Sequence, residues 1–294
     1  MSRRVLVVGA GGMLGRDIVP ACIARGHEVF AAARSDLDVT DARACDDLIA
    51  DIRPDMVINC AAYTDVDGAE TDEEKAMDVN KTGAAFVAMA AARVDAAVMY
   101  ISTDYVFDGR LRRPYVEADE PAPLNVYGQS KWAGEVAVAT ANSRHMIVRT
   151  SSLFGLGGRN FIETMLRLAD EQPEVAVVSD QVSAPTSTLH LAKAVAELAD
   201  SDRWGVHHVA AAGECSWFEF AQEIFDQAGL DTRVMAVRSS EYGRPAKRPA
   251  YSVLRSASPQ TPKLPHWREG LATYLDARER RISFDRQARQ ADAL

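Results

Sequence analysis

No stretch constrains the fold of this chain more than residues 5 to 24. Val5-Leu6-Val7-Val8 is a short unbroken run of β-branched and leucine residues. That is the pattern of a strand covered on both faces in a parallel sheet. It runs directly into Gly9-Ala10-Gly11-Gly12-Met13-Leu14-Gly15, and a helical pattern follows from Asp17 to Ala24. Strand, glycine turn and helix in that order aim backbone amides and the positive end of the helix at one point, a setting for a phosphate group. The spacing G-x-G-x-x-G fails at Leu14, whereas G-x-x-G-x-x-G holds at Gly9, Gly12 and Gly15. Further short apolar runs at 28–33, 55–60, 97–101, 145–150 and 205–211 alternate with helical patterns. The alternation predicts an α/β fold with a Rossmann-type doubly wound parallel sheet.

In such a sheet ligands lie beyond the carboxyl ends of the strands, so those ends are the places to look for chemistry. The second strand closes on Ala33-Arg34, where an acid would hold ribose hydroxyls; an arginine there suits a 2′-phosphate, with Arg16 near it. The expected cofactor is therefore NADPH, with NADH also admitted. The third strand closes on Cys60-Ala61-Ala62-Tyr63, small residues that let a cofactor lie close. The 97–101 strand delivers Ser102-Thr103-Asp104-Tyr105, and Tyr127-Gly128-Gln129-Ser130-Lys131 follows a proline-rich acidic loop. A Tyr and a Lys four apart on a helix share one face. A phenol of pKa ~10 is a poor acid at neutral pH, and an adjacent ammonium is expected to lower that value so that a proton can pass to a carbonyl oxygen.

The 294 residues, 26% charged and 47% apolar, are those of an ordinary globule, and the net charge of −9 argues against nucleic-acid and anionic-membrane partners. Cys22, Cys45, Cys60 and Cys215 have no metal-binding or disulfide spacing, and no metal site is expected from them. Met-Ser-Arg-Arg leads straight into the first strand, which predicts a cytoplasmic protein without a signal peptide.

Several longer strings now stand together: Asn59-Cys60-Ala61-Ala62-Tyr63-Thr64-Asp65-Val66-Asp67, Ser102 to Gly109, Asp180-Gln181 with Pro185-Thr186, Arg248-Pro249-x-x-Ser252-x-Leu254, and Leu264-Pro265-His266-Trp267-Arg268. In that order they resemble the dTDP-4-dehydrorhamnose reductase family of extended short-chain dehydrogenase/reductases, over nearly the whole chain. The resemblance implies hydride transfer to C4 of a nucleotide-bound 4-keto-6-deoxy sugar. Tyr127 would protonate the new alkoxide, Lys131 would hold the nicotinamide ribose, and Thr103 would bind the keto oxygen. It places the cofactor on Gly9, Gly11, Gly12, Met13, Leu14, Gly15, Arg34, Asp38, Val39, Cys60, Ala61, Ala62, Tyr63 and Lys131. It places the substrate on Thr64, Val66, Thr103, Asp104, Tyr105, Tyr127, Ser152 and Arg248, the last for the diphosphate.

Two positions depart from the family: Ser152 stands where a tryptophan is common, and Ser183 where a glycine is usual. A 4,6-dehydratase would need Glu at Tyr105, and a 4-epimerase the acid that Ala33 replaces. The alternatives that stay open are a reductase of another nucleotide 4-keto-6-deoxy sugar and a non-catalytic subunit like that of methionine adenosyltransferase. A homodimer and a Mg2+ requirement are left open as well. The expected organisation is a cofactor domain of 1–150 with about 184–212, a smaller C-terminal α/β substrate domain of 151–183 with 213–282, and a frayed polar tail at 283–294.

Overall fold

The computed structural model describes residues 2–291, with side chains as far as 284. Six strands form one parallel sheet in the order Gly205–His208, His145–Thr150, Ala97–Thr103, Met56–Asn59, Arg4–Val8, Glu28–Ala32. From Arg4–Val8 the chain steps outward to Glu28–Ala32, then returns across its start to Met56–Asn59. That reversal makes the switch point at which such sheets open a ligand crevice.

Alternation along the strands explains why both faces are covered. Val5, Val7, Ile58 and Met99 point to one side, where Ile18, Leu191, Val195 and Leu198 of helices Gly15–Ala24 and Thr188–Ala199 meet them. Leu6, Val8, Val57 and Val98 point to the other side and pack on Cys45, Ile49, Val87 and Val138. Those residues come from helices Ala42–Ile52, Ala84–Arg93 and Val126–Ala141. Each such side chain taken wholly out of water contributes roughly 1.5–3 kcal/mol, so two-sided cover is what holds the strand ends in register.

A third core gathers Phe154, Ile162, Met165, Phe220, Ile224, Phe225, Trp267, Leu271 and Tyr274. It lies among helices Phe161–Glu171, Trp217–Ala228 and the long helix Trp267–Ala291. Beside it the parallel pair Glu174–Val178 and Arg233–Val237 forms a small sheet whose second strand the sequence pattern did not reveal. Residues 283–291, expected to fray, continue the last helix. Their Arg, Gln, Ala and Asp content carries no helix breaker, so the polar composition does not end the helix; residues 292–294 lie outside the described residues.

The sequence pattern also reads 73–92 as one helix, and the structure divides it. Glu73–Met77 and Ala84–Arg93 are α-helical, and the turns Asp78–Gly83 between them are widened to π geometry. Widened turns of this kind recur at functional sites, and here they carry Asn80 into the crevice.

Candidate active site

The glycine turn is shaped by close approach of backbones. Gly9 has φ of +77°, and a Cβ on it would stand 2.7 Å from the Ala61 amide nitrogen. A Cβ on Gly15 would lie 2.4 Å from the Gly9 carbonyl oxygen. Side chains at either position would push the turn off the ends of the first and third strands. The helix that starts at Gly15 points its N-terminal, positive end into the same space. A bare backbone cradle at a helix start, with Cys60, Ala61, Ala62 and Tyr63 half-buried beside it, fits a dinucleotide. Met13 and the buried Leu14 complete the turn. The buried Val39 is packed against Gly83, while Arg34 and Asp38 are exposed just beyond the second strand.

Asn80, wholly buried, ties this cradle to the helix that bears Tyr127. Its amide oxygen accepts from Tyr63 N at 2.9 Å, and its Nδ2 donates to the Tyr63 carbonyl at 3.0 Å and to Ser130 Oγ at 2.9 Å. Its main-chain carbonyl accepts the Tyr100 hydroxyl at 2.8 Å. The bare Gly134 allows this contact, since a Cβ there would meet the Asn80 oxygen at 2.1 Å. The partners of Asn80 come from distant segments, and no local pattern announces them.

Helix Val126–Ala141 starts on Asn125, whose side chain accepts from Gly128 N at 2.7 Å and whose Nδ2 donates to the Lys247 carbonyl at 2.7 Å. Tyr127 is thereby set two residues beyond a cap that is itself held by the C-terminal segment. The Thr103 hydroxyl meets the Tyr127 phenol, and the Tyr105 ring stands edge-on to the Tyr127 ring with centroids 6.0 Å apart. Asp104, only 1% exposed, accepts from Ser252 Oγ at 2.5 Å, Ser151 Oγ at 2.8 Å and Thr103 Oγ1 at 3.1 Å. Burial nonetheless lifts its carboxyl to about 6.

The electrostatics differ from the expectation of a lowered phenol. Burial pushes Tyr127 up to about 12, the Asp104 charge adds to the rise, and only the Thr103 hydroxyl opposes it. The Lys131 ammonium is engaged elsewhere: it donates to the Ile101 carbonyl at 2.7 Å and sits 3.8 Å from the centre of the Tyr100 ring. Desolvation brings Lys131 down to about 7, resisted first by Glu135. Glu135 is bound in a buried pair to Arg149 at 2.6 Å and receives Ser102 Oγ at 2.5 Å. Tyr127 is thus a neutral donor at pH 7, and Lys131 is poised beside the crevice rather than bonded to the phenol.

Past Tyr105 the crevice opens into a cavity of about 650 Å³. Its lining includes Val66, Tyr105, Phe161, Trp217, Tyr242, Arg244, Lys247 and Arg248, aromatic faces beside three cations. Arg248 is held bidentate by Asp67, at 2.8 and 3.0 Å, a pairing the sequence reading did not anticipate. Of the expected substrate residues, Val66, Tyr105 and Arg248 line this cavity, Tyr127 stands edge-on to Tyr105, Thr103 and Asp104 directly precede Tyr105 in the chain, and Thr64 is exposed on its loop. The two departing positions touch each other: Ser152 Oγ and Ser183 Oγ are 2.9 Å apart, and Ser152 has φ of +45°. Phe154 is sealed in the third core against Phe220 and Tyr274, so it offers no face to a ligand.

Residues 3–280 match the family model of the RmlD substrate binding domain. The chain belongs to this family. It is 43% identical over 296 residues to the dTDP-4-dehydrorhamnose reductase of Mycobacterium tuberculosis, covering 97% of each chain. It is 42% identical over 277 residues to the spore coat polysaccharide biosynthesis protein SpsK of Bacillus subtilis, covering 94% of this chain and 98% of that one. Among solved structures, the dTDP-4-dehydrorhamnose reductase of Bacillus anthracis in complex with NADP superposes with a TM-score of 0.91 at 38% identity. That match covers 94% of this chain and all of the other. A Thermus thermophilus UDP-glucose 4-epimerase bound to NAD shares the fold, with a TM-score of 0.79 at 20% identity over 93% and 98% of the two chains. No helix among the described residues of this family member is long and apolar enough to cross a membrane.

Proposed function

We propose that this member of the RmlD family is an NADPH-dependent dTDP-4-dehydrorhamnose reductase, which reduces the 4-keto group of dTDP-4-dehydro-6-deoxy-L-mannose to give dTDP-L-rhamnose. The observation that carries the reading is the placement of the Thr103–Tyr127 pair. It stands where a backbone cradle for a dinucleotide meets a cavity lined by aromatic rings and arginines. Reduced nicotinamide, bound along the strand ends, supplies the hydride. Thr103 holds the keto oxygen, and Tyr127 gives its phenolic proton to that oxygen as C4 is reduced, leaving an alcohol and a tyrosinate that solvent reprotonates. A phenol raised to about 12 keeps its proton until an oxygen of greater basicity, the forming alkoxide, is in place. Asp104 anchors Thr103 and joins the strand end to Ser252 of the C-terminal segment.

In the same reading the division of labour follows the chain. Residues 1–150 with about 184–212 hold the cofactor, and 151–183 with 213–282 hold the nucleotide sugar. Arg248 and Arg244 face the diphosphate, and Trp217 or Tyr242 offers a ring to the base. The enzyme works on cytoplasmic pools of reduced nicotinamide and nucleotide sugar. Purified protein given NADPH and dTDP-4-dehydro-6-deoxy-L-mannose should consume both in equal amounts and form dTDP-L-rhamnose, identified by NMR of the isolated product. Binding of NADPH without turnover would replace this reading with that of a regulatory subunit.

A further inference from the structure

We propose that Glu135 is a positioning residue for the reduction: from a buried pair with Arg149 it acts through Lys131, keeping that amine protonated one helical turn from Tyr127. The proposal rests on the reductase reading above, in which Tyr127 gives up its proton and stands briefly as a tyrosinate. An ammonium beside that phenolate stabilises it, and a neutral amine does not.

Lys131, Glu135 and Arg149 are 2, 3 and 4% exposed. Lys131 and Glu135, four apart on the helix Val126–Ala141, share one face. Arg149, from the strand His145–Thr150, grips the carboxylate with two nitrogens: Nη2 donates to Oε2 at 2.6 Å and Nε to Oε1 at 3.0 Å. Ser102 Oγ donates to the same Oε1 at 2.5 Å. Ser102 follows Ile101, whose carbonyl accepts the Lys131 ammonium at 2.7 Å, and precedes Thr103. The carboxylate thus fixes the segment that delivers both the Lys131 acceptor and the Thr103 hydroxyl. Arg149 is further engaged by His208 Nε2, which accepts from Nη1 at 3.4 Å, and by the Phe107 ring, 5.2 Å away at its centre. Stability does not explain the pair, since a buried ion pair exchanged for apolar side chains of like volume is often neutral or stabilising.

Its effect on Lys131 does. The titratable groups around that amine are Cys60 at the end of the third strand, Tyr100 on the strand Ala97–Thr103, and Tyr127 and Glu135 on its own helix. Burial pushes the Cys60 thiol and the Tyr127 phenol each up to about 12 and raises the Tyr100 phenol, so all three are neutral at pH 7. Asp104 bears on Tyr127 rather than on Lys131. His208, beyond Arg149, is lowered to about 4 by burial and adds no charge. Glu135 is left as the negative charge that opposes the desolvation of Lys131.

The test follows Lys131 directly, by NMR of the chain labelled with carbon-13 at the lysine ε carbons, with Lys131→Met to assign the signal. The main variant combines Glu135→Gln with Arg149→Met, which removes both charges and leaves neither partner buried alone. Lys131 should titrate at about 7 in the wild-type chain and about one pH unit lower in the double variant. Glu135→Asp, which keeps the charge, should titrate near wild type. Single-turnover NADPH oxidation should follow the same order, the double variant being about fivefold slower than wild type at pH 7 and near wild type at about pH 5.5. A purely structural role would slow the step alike at every pH. An unmoved Lys131 titration would overturn the role of Glu135, and so would a moved titration with an unmoved pH–rate curve. A moved titration in a chain whose wild type oxidises no NADPH would instead overturn the reductase reading and confine Glu135 to setting the charge of Lys131.

Discussion

Arg248→Met tests the substrate cavity, because it keeps an unbranched apolar stem and deletes the charge. In the free protein both terminal guanidinium nitrogens are already engaged, at 2.8 and 3.0 Å, by Asp67. Binding a diphosphate therefore exchanges part of one charge-assisted pairing for another, and the gain is smaller than two new bonds. A hydrogen bond to a charged group contributes about 1.5–3 kcal/mol. One such bond net, about 2 kcal/mol, corresponds to roughly 30-fold in affinity. The loss should appear in KM for the sugar nucleotide and in Kd for dTDP, while Kd for thymidine, which carries no diphosphate, stays near wild type. The kcat should change little, because Arg248 reaches Tyr127 only through Tyr105. Asp67 keeps Arg244 at 3.5 Å and is part-exposed, so the variant should fold. Equal weakening of dTDP and thymidine would refute the diphosphate assignment, as would an unchanged Kd for both.

Asp104 should leave a mark on stability against pH. Its folded pKa is about 6, above the unfolded value near ~3.9, so the native state binds the extra proton between them. Its contribution is fully present below pH ~4 and is lost as pH rises through 6; Asp104→Asn, compared with wild type by urea melts from pH 4 to 7, should flatten that fall by a few kcal/mol, and parallel curves would contradict it. Ser152→Gly should stabilise the fold by up to ~1 kcal/mol, since it relieves a φ of +45°, as read by Tm. Ser152→Trp should abolish substrate binding with nucleotide binding intact, because Ser183 Oγ, 2.9 Å from Ser152 Oγ, occupies the space an indole needs; a tightened KM would contradict this.

The parts legible in the sequence are those written locally. Val5 to Val8, Met56 to Ile58 and Ala97 to Ile101 are apolar without alternation because helices cover both faces of the sheet. The glycine spacing is legible because backbone contact forbids a Cβ at Gly9 and Gly15. What escaped depends on partners far along the chain. Asp67 and Arg248 are 181 residues apart, and Asn80 finds Ser130 fifty residues on. The widened turns at 78–83 carry no breaker residue that would distinguish them from an ordinary helix. The lowered phenol was expected from the Tyr127–Lys131 spacing alone. The buried carbonyl of Ile101 claims the ammonium instead, and burial then decides the phenol.

The most direct test of the central claim is a single-turnover measurement of NADPH oxidation by Tyr127→Phe with saturating dTDP-4-dehydro-6-deoxy-L-mannose. Removing one hydroxyl from the half-buried Tyr127 ring should slow the step by ~10²–10⁴ while the Kd for NADPH is unchanged. Oxidation at the wild-type rate would mean that the proton comes from another group and that Thr103 and Tyr127 do not form the reducing site.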